Sequence, residues 1–149
     1  MRAKIDLQND ESLTNLPVQQ DFETWVNAAL VQKFDNLEQT IRLVGEAESR
    51  ALNSQYRAKN SPTNVLSFTV ENDYLDYECL GDLVICAPIV EQEAQQQGKP
   101  LPAHWAHMVI HGMLHLQGYD HQNAAEASEM EALEAKILST LGYTNPYNV

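Results

Sequence analysis

The sequence predicts an α+β domain in which a small mixed β-sheet is packed with helices. Three observations carry this. Strand-like and helix-period runs follow one another in the order βαβαββααα. Two neighbouring strand runs, 64–70 and 80–86, are joined by a polar connection that suits antiparallel pairing, which makes the sheet mixed. An apolar content of 44 % over 149 residues is enough to bury one core without disulfides, so a single domain spanning 1–149 is expected.

Residues 2–8 read as the first strand. After Pro17, the residues Val18, Phe22, Trp25, Val26, Ala29, Leu30 and Phe34 recur at helical spacing. Ile41 and Leu43 alternate with polar neighbours as a second strand, and Ala47, Ala51, Leu52 and Tyr56 mark a short helix that ends before Pro62. Pro88 and Pro102 sit where a first helical turn tolerates proline, opening helices over about 88–97 and 102–117, and Gly118 closes the second. A last helix, 124–141, buries Met130, Leu133, Ile137, Leu138 and Leu141 and stops at Gly142. No internal repeat or linker-like tract interrupts the chain.

No apolar run reaches the roughly 18 residues of a membrane span, and the opening MRAKIDLQNDESL lacks the apolar stretch of a secretory signal, so a cytoplasmic protein with no membrane partner is expected. Cys79 and Cys86 form neither a CxxC pair nor a disulfide framework and read as small reduced core residues. The formal charge of −12 argues against a nucleic-acid partner, because phosphate binding normally leaves a basic footprint. Its distribution softens that argument. Four of the nine basic residues, Arg42, Arg50, Arg57 and Lys59, lie within 42–59, opposed there only by Glu46 and Glu48.

All five histidines fall between positions 104 and 121. His107, His111 and His115 share one helix face by their i, i+4, i+8 spacing, and the segment HGMLHLQGYDH selects among them. His111 and His115 stand one turn apart, Gly118 lets the chain leave the helix, and His121 follows close enough to swing back to the same ion. The spacing HxxxHxxGxxH is the skeleton of a zincin-like metal site with its glutamate missing. Three neutral nitrogens with an open fourth position make the ligand set of a catalytic zinc, so His111, His115 and His121 are the expected ligands of one Zn²⁺ per chain. His104 and His107 are expected to be hydrogen-bonded core residues, with a supporting or substrate contact the alternative for His107.

In HExxH proteases the glutamate beside the first histidine takes the proton from zinc-bound water. Gly112 occupies that place here, so peptide hydrolysis lacks its base, and a carboxylate introduced there is expected to stand where a phosphate approaches. Glu126, Glu129, Glu131 and Glu134 are expected on the solvated face of the last helix. Phosphodiester cleavage depends less on a protein base, but it needs a cation for the charge developing on phosphorus. Arg57 and Lys59 are the candidates for substrate binding, and the planar fork of Arg57 makes it the better candidate for catalysis.

Three segments, LNSQYRAKNSPTNVLSF at 52–68, LGDLVI at 80–85 and HGMLHLQGYDH at 111–121, resemble the YbeY family of bacterial metal-dependent endoribonucleases. The resemblance runs over nearly the whole chain. It implies zinc on His111, His115 and His121, a functional Arg57 facing the same cleft, and activity on single-stranded regions of ribosomal RNA. It also implies a role in 16S rRNA 3′-end maturation and ribosome quality control. Where many members read KD and PTDVLSF, this chain has Asn60 after Lys59, and Asn64, and each change removes a carboxylate near the expected phosphate path. Asn64, Ser67 and Phe68 are expected in a strand beside the cleft. Asp82 is left between a turn and the site, and Asp120 between the metal centre and its turn. The acidic balance leaves room for a basic ribosomal protein or assembly factor as partner. The alternatives are a non-catalytic zinc-containing ribosome-assembly module and another metallohydrolase.

Overall fold

A computed structural model describes residues 3–69, 78–120 and 122–147 of the chain. The elements are β1 (Lys4–Gln8), α1 (Gln19–Ala29), β2 (Glu38–Val44), α2 (Glu46–Arg57), β3 (Val65–Thr69), β4 (Gly81–Cys86), α3 (Ala87–Gln97), α4 (Leu101–Leu116) and α5 (Ala124–Thr140). Their order is the expected βαβαββααα. The four strands form one sheet in the order β1-β2-β4-β3. β1 and β4 run parallel to β2, while β3 lies antiparallel to β4 at the edge, so the sheet is mixed as expected.

The period of two along the strands sorts side chains to the two faces. Ile41 pairs with Leu83 and Leu43 with Ile85, and Val65 and Ser67 continue the same face through their pairing with Ile85 and Leu83. Against this face pack α1 and α4. Phe22 meets Trp105 edge-to-face at 5.7 Å between ring centroids, one of the contacts that join the two helices. On the other face, Val44, Leu66, Val84 and Cys86 form a smaller cluster with Leu52 of α2 and Phe68. Asp82 points to that second face, beside Thr40, Arg42 and Phe68, and so away from the face on which α4 lies.

α4 is the central helix, apolar nearly all round and buried along most of its length, as such a pattern requires. At Gly112 it approaches the sheet so closely that an added Cβ would lie 2.7 Å from Leu83 Cδ2 and 3.2 Å from Val65 Cγ2. The Ser67 hydroxyl donates to the Gly112 carbonyl at 3.2 Å across the same contact.

Three expectations change. The first helix stops at Ala29, so Phe34 packs on the core from the following loop. In α2 the buried positions are Ser49 and Asn53, while Ala47, Ala51 and Tyr56 are exposed, because the helix uses its inner face to hold a loop. Cys86 is buried as expected of a core residue, but Cys79 is only half-buried.

Candidate metal centre and its cleft

One face of α4 carries His104, His107, His111 and His115 from the interior to the mouth of a cleft. The first two are buried and the last two half-buried. The cleft has a volume of about 670 Å³, and Arg57, Lys59, Asn64, Ser67, His111, His115 and Asp120 are among the residues that line it.

Two loops set its walls. Beyond α2, Ala58 takes the left-handed conformation that ends the helix at Arg57, and Lys59 N–H donates to the Asn53 carbonyl at 3.3 Å. Buried Asn53 donates to the Ser61 carbonyl at 2.8 Å, and buried Ser49 exchanges hydrogen bonds of 2.9 Å with the backbone of Thr63. The loop that follows Arg57 is therefore clamped to α2 and delivers the chain into β3. At the far wall, α4 ends as Gly118 turns at φ +102°, and Tyr119 N–H returns to the Leu114 carbonyl at 3.0 Å. That turn brings the Tyr119 carbonyl to 2.9 Å from His115 Nδ1.

The hydrogen bonds fix both ring tautomers. A carbonyl only accepts, so His115 carries its proton on Nδ1. His111 Nδ1 faces Glu134 Oε1 in a short hydrogen bond. Burial alone would raise the Glu134 carboxyl, but the hydrogen bonds it accepts from His107, His111 and Tyr147 hold it down at about 2, so it is an acceptor and His111 carries a proton on Nδ1. An imidazole that binds a metal is neutral, and with the proton on Nδ1 in each ring the nitrogens left to accept are the two Nε2 atoms, which face each other 3.1 Å apart. Two lone pairs held so close suit a shared cation. The spacing is near the roughly 3.3 Å edge of a tetrahedral site with zinc–nitrogen bonds of about 2.0–2.1 Å. The donor set therefore fits a metal ion.

A second grouping overlaps the first. His107, His111 and Glu134 each offer a ligand atom within 4.8 Å of the others, an arrangement that could hold a metal ion. Glu134 is fully buried, and its Oε2 also meets His107 Nε2 at 3.2 Å and the Tyr147 hydroxyl. Burial holds His107 toward its neutral form against the opposing pull of Glu134. Burial, with the hydrogen bond and charge of Glu134, keeps the Tyr147 phenol protonated. Deeper along α4, His104 Nε2 meets Glu93 Oε1 at 2.9 Å, and Asn64 donates to the same carboxylate at 3.1 Å.

A model of the family described as endoribonuclease YbeY matches residues 4–142. The chain belongs to the YbeY endoribonuclease family. Membership supports hydrolase, nuclease and endonuclease chemistry in rRNA processing, with RNA as the substrate. The solution structure of TM1509 from Thermotoga maritima is similar over 99 % of this chain and 99 % of that one, at 24 % identity and a TM-score of 0.52, and it bears on the fold alone.

In this YbeY chain the residues singled out by sequence come together in part. Arg57, Lys59, His111 and His115 line one cleft, and Asn64, Ser67 and Asp120 join them. His121 lies outside the described residues. Asp82 is on the opposite sheet face.

Two expectations are corrected. Glu134 is not on the solvated face of α5 but fully buried beneath His111, at a core position with Met130, Ile137 and Leu138. The register Met130, Glu134, Ile137, Leu138 was the available signal, a glutamate at i+4 within an apolar stripe. Gly112 faces the sheet and not the cleft, so a carboxylate there would meet Leu83 and Val65 before any phosphate. His104 and His107 are buried and hydrogen-bonded, as expected of core histidines. Tyr147 carried no sequence pattern that marked it.

Proposed function

We propose that the protein, one domain over 1–149, is a zinc-dependent endoribonuclease that cleaves single-stranded regions of ribosomal RNA. Its processes are 16S rRNA 3′-end maturation and ribosome quality control in the cytoplasm. The observation that carries the reading is the shared cleft, in which two cations, Arg57 and Lys59, face the same space as the paired Nε2 atoms of His111 and His115. Among the described residues no helix is long and apolar enough to cross a membrane, which accords with a substrate free of the bilayer.

His111 and His115 hold the ion, with His121 as third ligand by the spacing of its motif. This set is favoured over His107, His111 and Glu134 because in that group the ligand atoms are already joined to one another by hydrogen bonds in the interior, away from the cations. When bound, zinc supplies Lewis acidity toward a phosphoryl oxygen and lowers the pKa of water. Arg57 presents a permanently charged fork to the phosphate and stabilises the negative charge that grows on its oxygens in the transition state. Lys59 adds a point charge that draws the backbone of the RNA into the cleft. The chain as a whole is acidic, with a formal net charge of −12, so a basic ribosomal protein or assembly factor supplies affinity that the chain lacks.

The test is metal content measured beside cleavage of a single-stranded rRNA fragment, with and without chelator, for the native protein and His115→Ala. Cleavage should follow the metal and vanish in the variant. One zinc per chain with no cleavage of any rRNA fragment would replace this reading with a non-catalytic assembly module.

A further inference from the structure

We propose that Glu134, held in place by Tyr147 and His107, is a positioning residue that fixes His111 in the tautomer and orientation presenting Nε2 to the metal. The inference rests on the reading of His111 and His115 as ligands. Glu134 sits in α5 at a position that a leucine would fill, between Met130 and Ile137–Leu138 of the same buried stripe. Burying a carboxylate there is unfavourable unless its oxygens are satisfied. Both are. Oε1 takes the Nδ1 proton of His111, and Oε2 takes the Tyr147 hydroxyl and His107 Nε2.

What the carboxylate provides that a leucine cannot is a charged acceptor for His111. On the partner ring, the acceptor that faces His115 Nδ1 is the Tyr119 carbonyl. A histidine whose far nitrogen donates to a carboxylate is fixed in rotation and is a stronger donor through its other nitrogen. Tyr147 comes from the segment after α5 and reaches back 13 positions to Glu134, and it also meets His107 Nε2 at 3.1 Å. The carboxylate is thereby held from two sides, by α4 and by the tail.

The experiment compares Glu134→Gln, Tyr147→Phe, His107→Phe and His115→Ala with the native protein by zinc competition against a chelating indicator. Nitrogen-15 spectra of the metal-free proteins report the His111 tautomer. Glu134→Gln should still bind one zinc per chain but with affinity lowered about 10- to 100-fold, and its His111 should populate both tautomers. Tyr147→Phe should shift the affinity in the same direction by less. Unchanged affinity and a single Nδ1–H tautomer in Glu134→Gln, while His115→Ala loses its zinc, would overturn the positioning role and leave the ligand reading standing. Stoichiometric zinc in His115→Ala, with none in Glu134→Gln or His107→Phe, would overturn the ligand reading itself and make Glu134 a direct ligand. Should Glu134→Gln fail to fold, Tyr147→Phe decides the matter, since native affinity in that variant would also overturn the proposal.

Discussion

Gly112 of α4 lies over Leu83 of β4 at a distance that leaves no room for a side chain, with Leu83 Cδ2 at 2.7 Å from where a Cβ would be. The site that holds the catalytic glutamate in HExxH proteases is here a packing contact between helix and sheet. Alanine at 112 would gain about 1 kcal/mol of helix propensity. Leu83 is fully buried, however, and overpacking a closed core costs about 1–3 kcal/mol. Gly112→Ala should therefore lower stability slightly, and Gly112→Glu should unfold the protein or nearly so, without creating peptide hydrolysis. Urea unfolding of both variants checks this, and a Gly112→Glu protein of native stability would refute the packing argument.

That contact is not legible in the sequence. The HxxxHxxGxxH spacing specifies which residues can reach one ion, but it does not say which way the residue between the histidines points, because that depends on where the sheet lies. The element order and the antiparallel β3–β4 pair were legible because both follow from local periodicity. Glu134 was misplaced for the opposite reason: glutamate is almost always solvated, and only the three donors from α4 and the tail make its burial tolerable. Those donors are 27, 23 and 13 positions away in sequence. Ser49 and Asn53 are a milder case, polar residues buried in α2 because the loop after Arg57 needs partners.

The Glu93 carboxyl links Asn64 at the cleft to His104 in the core. Burial pushes its pKa up, but the hydrogen bonds from His104 and Asn64, with the nearby charges of His104 and Lys99, bring it below the ordinary 4.5. The folded state thus favours the ionised form. This stability is present above pH 4.5 and is lost as pH falls through the lower folded value. Unfolding of the metal-free protein should show Glu93→Gln less stable by about 1–2 kcal/mol at neutral pH, with the difference shrinking under acid. A gap that widens as pH falls would contradict the assignment.

Zinc that binds only the folded chain must stabilise it by mass action. At a free concentration of about 100 times Kd, the gain is about 2.7 kcal/mol, a rise in Tm of roughly 5–10 °C for a domain of this size. The metal-free native protein should show this rise on adding zinc and lose it to a chelator. His115→Ala, which removes one of the two facing Nε2 atoms, should show little of it. An equal shift in that variant, measured by calorimetry, would place the ion elsewhere.

Arg57 acts in this scheme on the reacting phosphate and not on the metal or the fold. Its side chain is exposed at the last turn of α2, and the loop beyond it is clamped by Asn53 and Ser49, so neither the helix end nor the loop depends on the guanidinium. A cation would also repel Zn²⁺, which makes a ligand role untenable. Arg57→Ala should therefore keep native zinc content and a Tm within a degree or so, while RNA turnover falls by about 10²- to 10³-fold, the loss expected from removing one preorganised stabiliser of developing charge. Arg57→Lys should recover only part of the rate, because a point charge cannot reproduce a two-pronged contact with phosphate oxygens. Lys59→Ala should instead weaken RNA binding modestly and reduce its dependence on salt, as expected of a cation that attracts the RNA backbone without contacting the reacting group. Full turnover by Arg57→Ala would remove the residue from the chemistry and leave the metal as the sole source of charge stabilisation, whereas loss of zinc or of folding in that variant would show that the end of α2 is tied to the centre in a way its exposed position does not suggest.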